Sequence, residues 1–136
     1  LSPLEVISTG YMLIESGKPT TVSYISNTQP IPADKEDIAV CTAMAGEMLG
    51  LRLLYLDGGS GAINPVPPKM ISAVRRNTRL PVIVGGGITS GTKAEQAWLA
   101  GADYVVIGNG LEKEPELLDQ IIKVRNRINQ PSGALA

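Results

Sequence analysis

Histidine is absent from the 136 residues, and that absence removes whole classes of chemistry. Histidine-based general acid–base catalysis and the Ser-His-Asp triad cannot be built within this chain. Zinc sites of the usual Cys/His type are excluded with them. Acid–base work falls to carboxylates, lysine or tyrosine. A single cysteine, Cys41, rules out an internal disulfide. It falls in a helical apolar pattern and is expected to pack in the core, as free cysteines commonly do. A lone thiol and the lack of a recognisable leader point to the cytoplasm. Leu1 rather than Met opens the sequence, so its start is not taken as a native N-terminus. No apolar run approaches the ~18 residues of a membrane-spanning helix. Lys and Arg number 12 against 13 Asp and Glu, and they are scattered. A nucleic-acid partner would need a concentrated basic face.

What is present is a folded domain: 43% of residues are hydrophobic and 18% charged. Residues 6–9 and 11–14 are apolar runs around Gly10 that read as one strand, and 22–25 as a further extended piece. Two prolines mark 28–33 as a loop. Asp34 then opens a helix whose apolar positions are Ile38, Cys41, Ala45, Met48 and Leu49, stopped by Gly50. Residues 51–56 form a nearly continuous apolar strand, as expected where both faces are buried. A helix over 69–77 turns Met70, Ile71, Ala73 and Val74 inward, and 80–84 is the next strand. Thr92 and Glu95 are placed as a capping box for a helix reaching Ala100, with Gly101 as its stop. Residues 104–107 are the last strand, and Pro115 opens a final helix with Leu117, Leu118, Ile121, Ile122, Val124 and Ile128 on its buried face. Residues 131–136 read as a frayed tail.

Repeated strand–helix alternation means a parallel sheet with helical crossovers, an α/β fold. A complete (βα)8 barrel takes roughly 250 residues. This chain, 1–136, is therefore read as about half of a phosphate-binding barrel of that type.

Two glycine clusters sit where such barrels bind phosphate. Gly85-Gly86-Gly87 follows a strand directly, and Gly108-Asn109-Gly110 ends the next one. Glycine there lets backbone amides approach an anion and adopt positive φ. Loops after consecutive late strands form the shared phosphate site of this fold. The plainer reading, that glycines merely make tight turns, accounts poorly for a run of three paired with a second cluster. Gly17-Lys18-Pro19-Thr20 faintly suggests a Walker loop, but Met12 and Pro19 break the required pattern, and a polar turn fits better.

Asp57 closes a strand in which Tyr55 precedes it by two, so period-2 geometry puts both on one side of the sheet. An acid at the C-terminal rim of a barrel strand suits a general base. It suits equally a turn former that bonds its own backbone, and spacing alone does not choose.

The blocks Tyr55-Leu56-Asp57-Gly58-Gly59-Ser60-Gly61-Ala62, Val84-Gly85-Gly86-Gly87-Ile88 and Gly101-Ala102-Asp103-Tyr104-Val105-Val106-Ile107-Gly108-Asn109 occur in order. Together they resemble the geranylgeranylglyceryl phosphate synthase family, which includes bacterial PcrB-type heptaprenylglyceryl phosphate synthases. A Gly10-Tyr11 turn also fits that family's fifth strand. The resemblance spans nearly the whole chain and corresponds to the C-terminal half of the family's barrel.

What the resemblance implies is a prenyltransferase of ether lipid synthesis. It would join the 3-hydroxyl of sn-glycerol 1-phosphate to a polyprenyl diphosphate. Amides at Gly86, Gly87, Gly108 and Asn109 would hold the phosphate, with Ser60 and Gly61 adding donors. Tyr55 would orient the glycerol, and Asp57 would take the hydroxyl proton. Asp57 stands where many family members carry Glu, and the shorter arm raises the question of a bridging water. The family's Mg²⁺ ligands lie near the first strand, outside this chain. A half-barrel would expose two sheet edges, so a homo-oligomer is expected. Two other functions share the glycine turns: an isomerase or lyase of another phosphate barrel, and a phosphate-binding half-barrel without chemistry.

Overall fold

The computed structural model describes residues 3–130. The frayed tail expected at 131–136 lies outside the described residues. Four strands, β1 (Thr9–Leu13), β2 (Leu53–Asp57), β3 (Val82–Gly85) and β4 (Tyr104–Val106), form one sheet in the order β1-β2-β3-β4, every pair parallel. Between them run α1 (Thr21–Ser26), α2 (Glu36–Met48), α3 (Pro68–Asn77) and α4 (Gly91–Leu99); α5 (Asn109–Lys113) and α6 (Leu117–Asn129) follow. This is the expected α/β alternation with helical crossovers, half-barrel in size.

The core lies on one face of the sheet. Met12, Leu54, Leu56, Val82 and Val84 point at the helices and are buried there with Met70, Ile71 and Val74 of α3, Ala94 and Ala97 of α4, and Leu117 and Ile121 of α6. The register alternates strictly, so the other face carries in-register rows across neighbouring strands. One row is Tyr11, Tyr55, Ile83 and Tyr104; the next, toward the C-terminal rim, is Leu13, Asp57, Gly85 and Val106. The period-2 expectation for Tyr55 and Asp57 holds.

Asp103 ties β3 to β4. Its Oδ2 accepts from the Val82 amide at 2.8 Å, and its own amide donates back to the Val82 carbonyl at 2.8 Å. Glu47 does similar work at the end of α2, accepting from the Thr78 hydroxyl at 2.9 Å and the Arg79 amide at 3.3 Å.

Several sequence expectations are corrected. Residues 22–25 lie in α1, not in an extended piece. The Ser23 hydroxyl accepts from the Thr20 amide and donates to the Thr20 carbonyl, and Ser26 closes back on Val22. These local bonds outweigh the β-branched propensity on which the extended reading rests. Strand β1 begins only at Thr9, and Gly10 lies within it rather than in a turn.

The inward face of α2 is Ala39, Ala43 and Gly46. Met48 and Leu49 are 87% and 82% exposed, Ile38 and Ala45 are not buried, and Cys41 is exposed rather than in the core. The helix lies so close that a Cβ on Gly46 would stand 3.2 Å from Leu51 Cδ1. Only small residues fit there, so the large apolar ones turn outward. Helix α4 is capped by Ser90, whose hydroxyl accepts from the Lys93 amide at 3.3 Å; Glu95 instead pairs with Arg127 at 2.6 Å. Ala73 is only partly buried in α3. At the C-terminal end, Gly108-Asn109-Gly110 runs into α5, and α6 starts at Leu117, two residues after Pro115. It buries Leu117 and Ile121 but leaves Leu118 half exposed.

Candidate active site

The loops that leave the C-terminal ends of β2, β3 and β4 meet around one cavity of about 250 Å³. Tyr55, Asp57, Ser60, Gly61, Gly86, Gly87, Gly108 and Asn109 all line it. The sequence reading therefore selected residues from three separate loops that the fold brings together.

Backbone packing explains why glycine occupies the middle of this site. Gly86 and Gly87 have φ of +83° and +69°, a region costly for other residues. A Cβ on Gly86 would lie 2.8 Å from the Gly58 backbone, and one on Gly87 would lie 2.6 Å from the Asn64 carbonyl carbon. The β3 loop is thus pressed directly onto the β2 loop, main chain against main chain. The tight-turn reading holds, and the conformation that packs the loops together also leaves their amides free of protein acceptors. Among the described residues, no protein acceptor is found for the amides of Ser60, Gly61, Gly86, Gly87, Gly108 or Asn109. Ser60 Oγ donates to Asn109 Oδ1 at 3.0 Å and links the first and last of the three loops.

Asp57 is 8% exposed, and both its oxygens are engaged. Oδ1 accepts from the Gly59 amide at 2.8 Å, the self-bonding turn that spacing allowed. Oδ2 accepts from the Tyr11 hydroxyl at 2.5 Å. The turn role is therefore real, and it leaves one lone pair on each oxygen for a further donor. Tyr11 and Tyr55 meet edge to face, ring centroids 5.4 Å apart at 84°. Burial, and then the hydrogen bond to Asp57 and its charge, push the Tyr11 phenol well above its ordinary range. Burial followed by the charge of Asp57 raises Tyr55 as well. Both phenols remain protonated donors at neutral pH.

Sequence reasoning missed Tyr11 as a site residue, for nothing local links it to an acid 46 positions away. It also missed what the 17–20 turn does. Thr20 packs on the face of Gly59, where a Cβ would fall 2.6 Å from the Thr20 hydroxyl. Lys18 Nζ comes within 3.7 Å of where a Cβ on Gly61 would stand, setting a cation beside the amide loop.

For a metal the fit is poor. Among the described residues no group of three or more Cys, Asp or Glu side chains converges on a point that could hold one. Asp57 is the one acid on the cavity, and a Tyr hydroxyl and an amide already occupy it. No helix among the described residues is long and apolar enough to cross a membrane.

Comparison with known proteins agrees with this geometry. The PcrB family model matches residues 1–125. The chain is 60% identical over 129 residues to a geranylgeranylglyceryl phosphate synthase of Spirosoma linguale, covering 95% of this chain and 52% of that relative. For the enzyme of the same name from Thermococcus kodakarensis, the identity is 47% over 110 residues, 81% of this chain and 43% of the relative. In three dimensions it superposes on (S)-3-O-geranylgeranylglyceryl phosphate synthase of Thermoplasma acidophilum, solved in complex with its substrate sn-glycerol-1-phosphate. The TM-score is 0.84 at 33% identity, over 90% of this chain and 50% of that one. The chain spans about half the length of the relatives it matches. By these matches it belongs to the PcrB family.

Proposed function

We propose that the complete protein is a prenyltransferase that joins the 3-hydroxyl of sn-glycerol 1-phosphate to C1 of a polyprenyl diphosphate. In this reading the present chain supplies the glycerol phosphate site. One observation carries it: acceptor-free amides of three glycine-rich loops surround a cavity with a single carboxylate on its wall.

The chemistry follows from the positions. Amides of Gly86, Gly87, Gly108 and Asn109 bind the phosphate, and Ser60 and Gly61 complete the cradle from the β2 loop. Anions gain from such preorganised donors because no side chain must be ordered to meet them. The Tyr55 hydroxyl orients the glycerol. Asp57 accepts the proton of the attacking hydroxyl through its remaining lone pairs. The oxygen forms its bond to C1 as the C1–O bond to diphosphate breaks, and diphosphate leaves with the electron pair. The residues present do not fit a magnesium ion, so no step here runs through one; ligands for Mg²⁺ would come from outside this chain. The polyprenyl diphosphate would likewise be held chiefly outside it.

A second copy of the protein is a further partner we propose, because Ile38, Met44, Met48 and Leu49 leave an apolar surface exposed along and just beyond α2. The exposed thiol of Cys41 suits a reducing cytoplasm.

Diphosphate release by the complete enzyme, supplied with both substrates, tests the assignment. Asp57→Asn is expected to lower kcat by about 10²–10⁴-fold while glycerol phosphate still binds. Wild-type turnover by that variant would remove Asp57 from the chemistry.

A further inference from the structure

The register of β1 against β2 sets Tyr11 opposite Tyr55 and Leu13 opposite Asp57. Tyr11 thus leans toward the carboxylate from the neighbouring strand. Its hydroxyl reaches Asp57 Oδ2 at 2.5 Å, while the Gly59 amide holds Oδ1 at 2.8 Å. Two donors from different elements grip the two oxygens, so the plane of the carboxylate is set before any substrate arrives. The Gly59 bond alone would leave the group free to turn about Cβ–Cγ. Tyr11 is not among the residues lining the cavity. Its hydroxyl reaches the carboxylate from the neighbouring strand.

A base held in one orientation meets its proton without the cost of ordering itself in the transition state. An aspartate needs this more than a longer acid does, because its short arm has less reach with which to correct a misplaced oxygen. We infer that Tyr11 is a positioning residue for the proposed base: it fixes Asp57 so that a lone pair faces the cavity, and its ring steadies Tyr55 by the edge contact. The inference rests on the reading of Asp57 as the base.

The test is a double-mutant cycle in the complete enzyme, with Tyr11→Phe, Asp57→Asn and the two combined. Phenylalanine keeps the ring and its contact with Tyr55 while deleting the one donor. Tyr11→Phe is expected to lower kcat about tenfold or more. Its dissociation constant for sn-glycerol 1-phosphate should stay within about twofold of the parent. Added to Asp57→Asn it should cost nothing further, because the group it positions is gone. A merely structural tyrosine would lower the melting temperature and slow both backgrounds alike. An unchanged kcat in Tyr11→Phe, or losses that multiply in the double variant, overturns the inference and leaves the Asp57 reading standing. An Asp57→Asn enzyme with wild-type kcat overturns both.

Discussion

At the scale of single residues, glycine decides the site more than any charged group does. Gly87 holds a positive φ and lies against the Asn64–Pro65 backbone, where a Cβ would come within 2.6–2.7 Å of three main-chain atoms. Backbone cannot swing aside as a flexible side chain can. Gly87→Ala must therefore push the β3 loop away from the β2 loop and adopt a left-handed conformation that alone costs about 1–2 kcal/mol. The expected result is a lower melting temperature together with weaker glycerol phosphate binding. An alanine variant with unchanged stability and affinity would show that the two loops are not packed as described. The glycine run was legible in the sequence because it directly follows an apolar strand. Tyr55 and Asp57 were legible because a two-residue spacing survives any error in strand boundaries. Tyr11 was not legible as a site residue. Its link to Asp57 exists only through the parallel register of two strands separated by a loop and two helices.

At the scale of elements, the strands and most helix positions followed from apolar patterning, but the packed face of α2 did not. Hydropathy points to Ile38, Met48 and Leu49, whereas the sheet lies so near that only Ala39, Ala43 and Gly46 fit between. Spacing between layers is a tertiary quantity, and no local pattern of large apolar residues reports it. The same limit applies to α1, where serine hydroxyls close a helical turn over a run rich in β-branched residues. Asp103 is a different case, visible as the start of a strand but not as a bond to another strand. It accepts from the amide of Val82, a residue with no exposed surface, and also faces Arg75 at 3.3 Å. The Arg75 pair is partly solvated and contributes little. The amide bond matters more, because deleting its acceptor leaves a buried donor unmet. Asp103→Ala is expected to destabilise the fold by about 1–3 kcal/mol, measured by chemical denaturation. Arg75→Ala should cost less, and the reverse order would place the stabilisation in the ion pair.

At the scale of the whole molecule, the four strands bury one face fully and leave part of the other open, its rim row at Leu13, Asp57 and Gly85 being buried. Tyr11, Tyr104 and Val106 are all substantially exposed on that second face, Tyr104 by 62%. In the relatives, roughly twice as long, there is enough further chain to close a barrel over such a face. The division of labour proposed above follows from this arrangement. The cavity proposed to hold glycerol phosphate is lined chiefly by β2 and the loops after β2, β3 and β4, whereas prenyl transfer in that proposal needs surfaces that these strands do not supply. Binding and turnover should therefore separate. The measurement that bears most directly on this account is calorimetric titration of sn-glycerol 1-phosphate into the folded chain, with glycerol and the Asn109→Asp variant as controls. The account predicts phosphate-dependent binding that glycerol does not reproduce and that a carboxylate at position 109 abolishes by repulsion. Absence of binding by a chain whose helices and melting transition show it folded, or equal binding by Asn109→Asp, would contradict it.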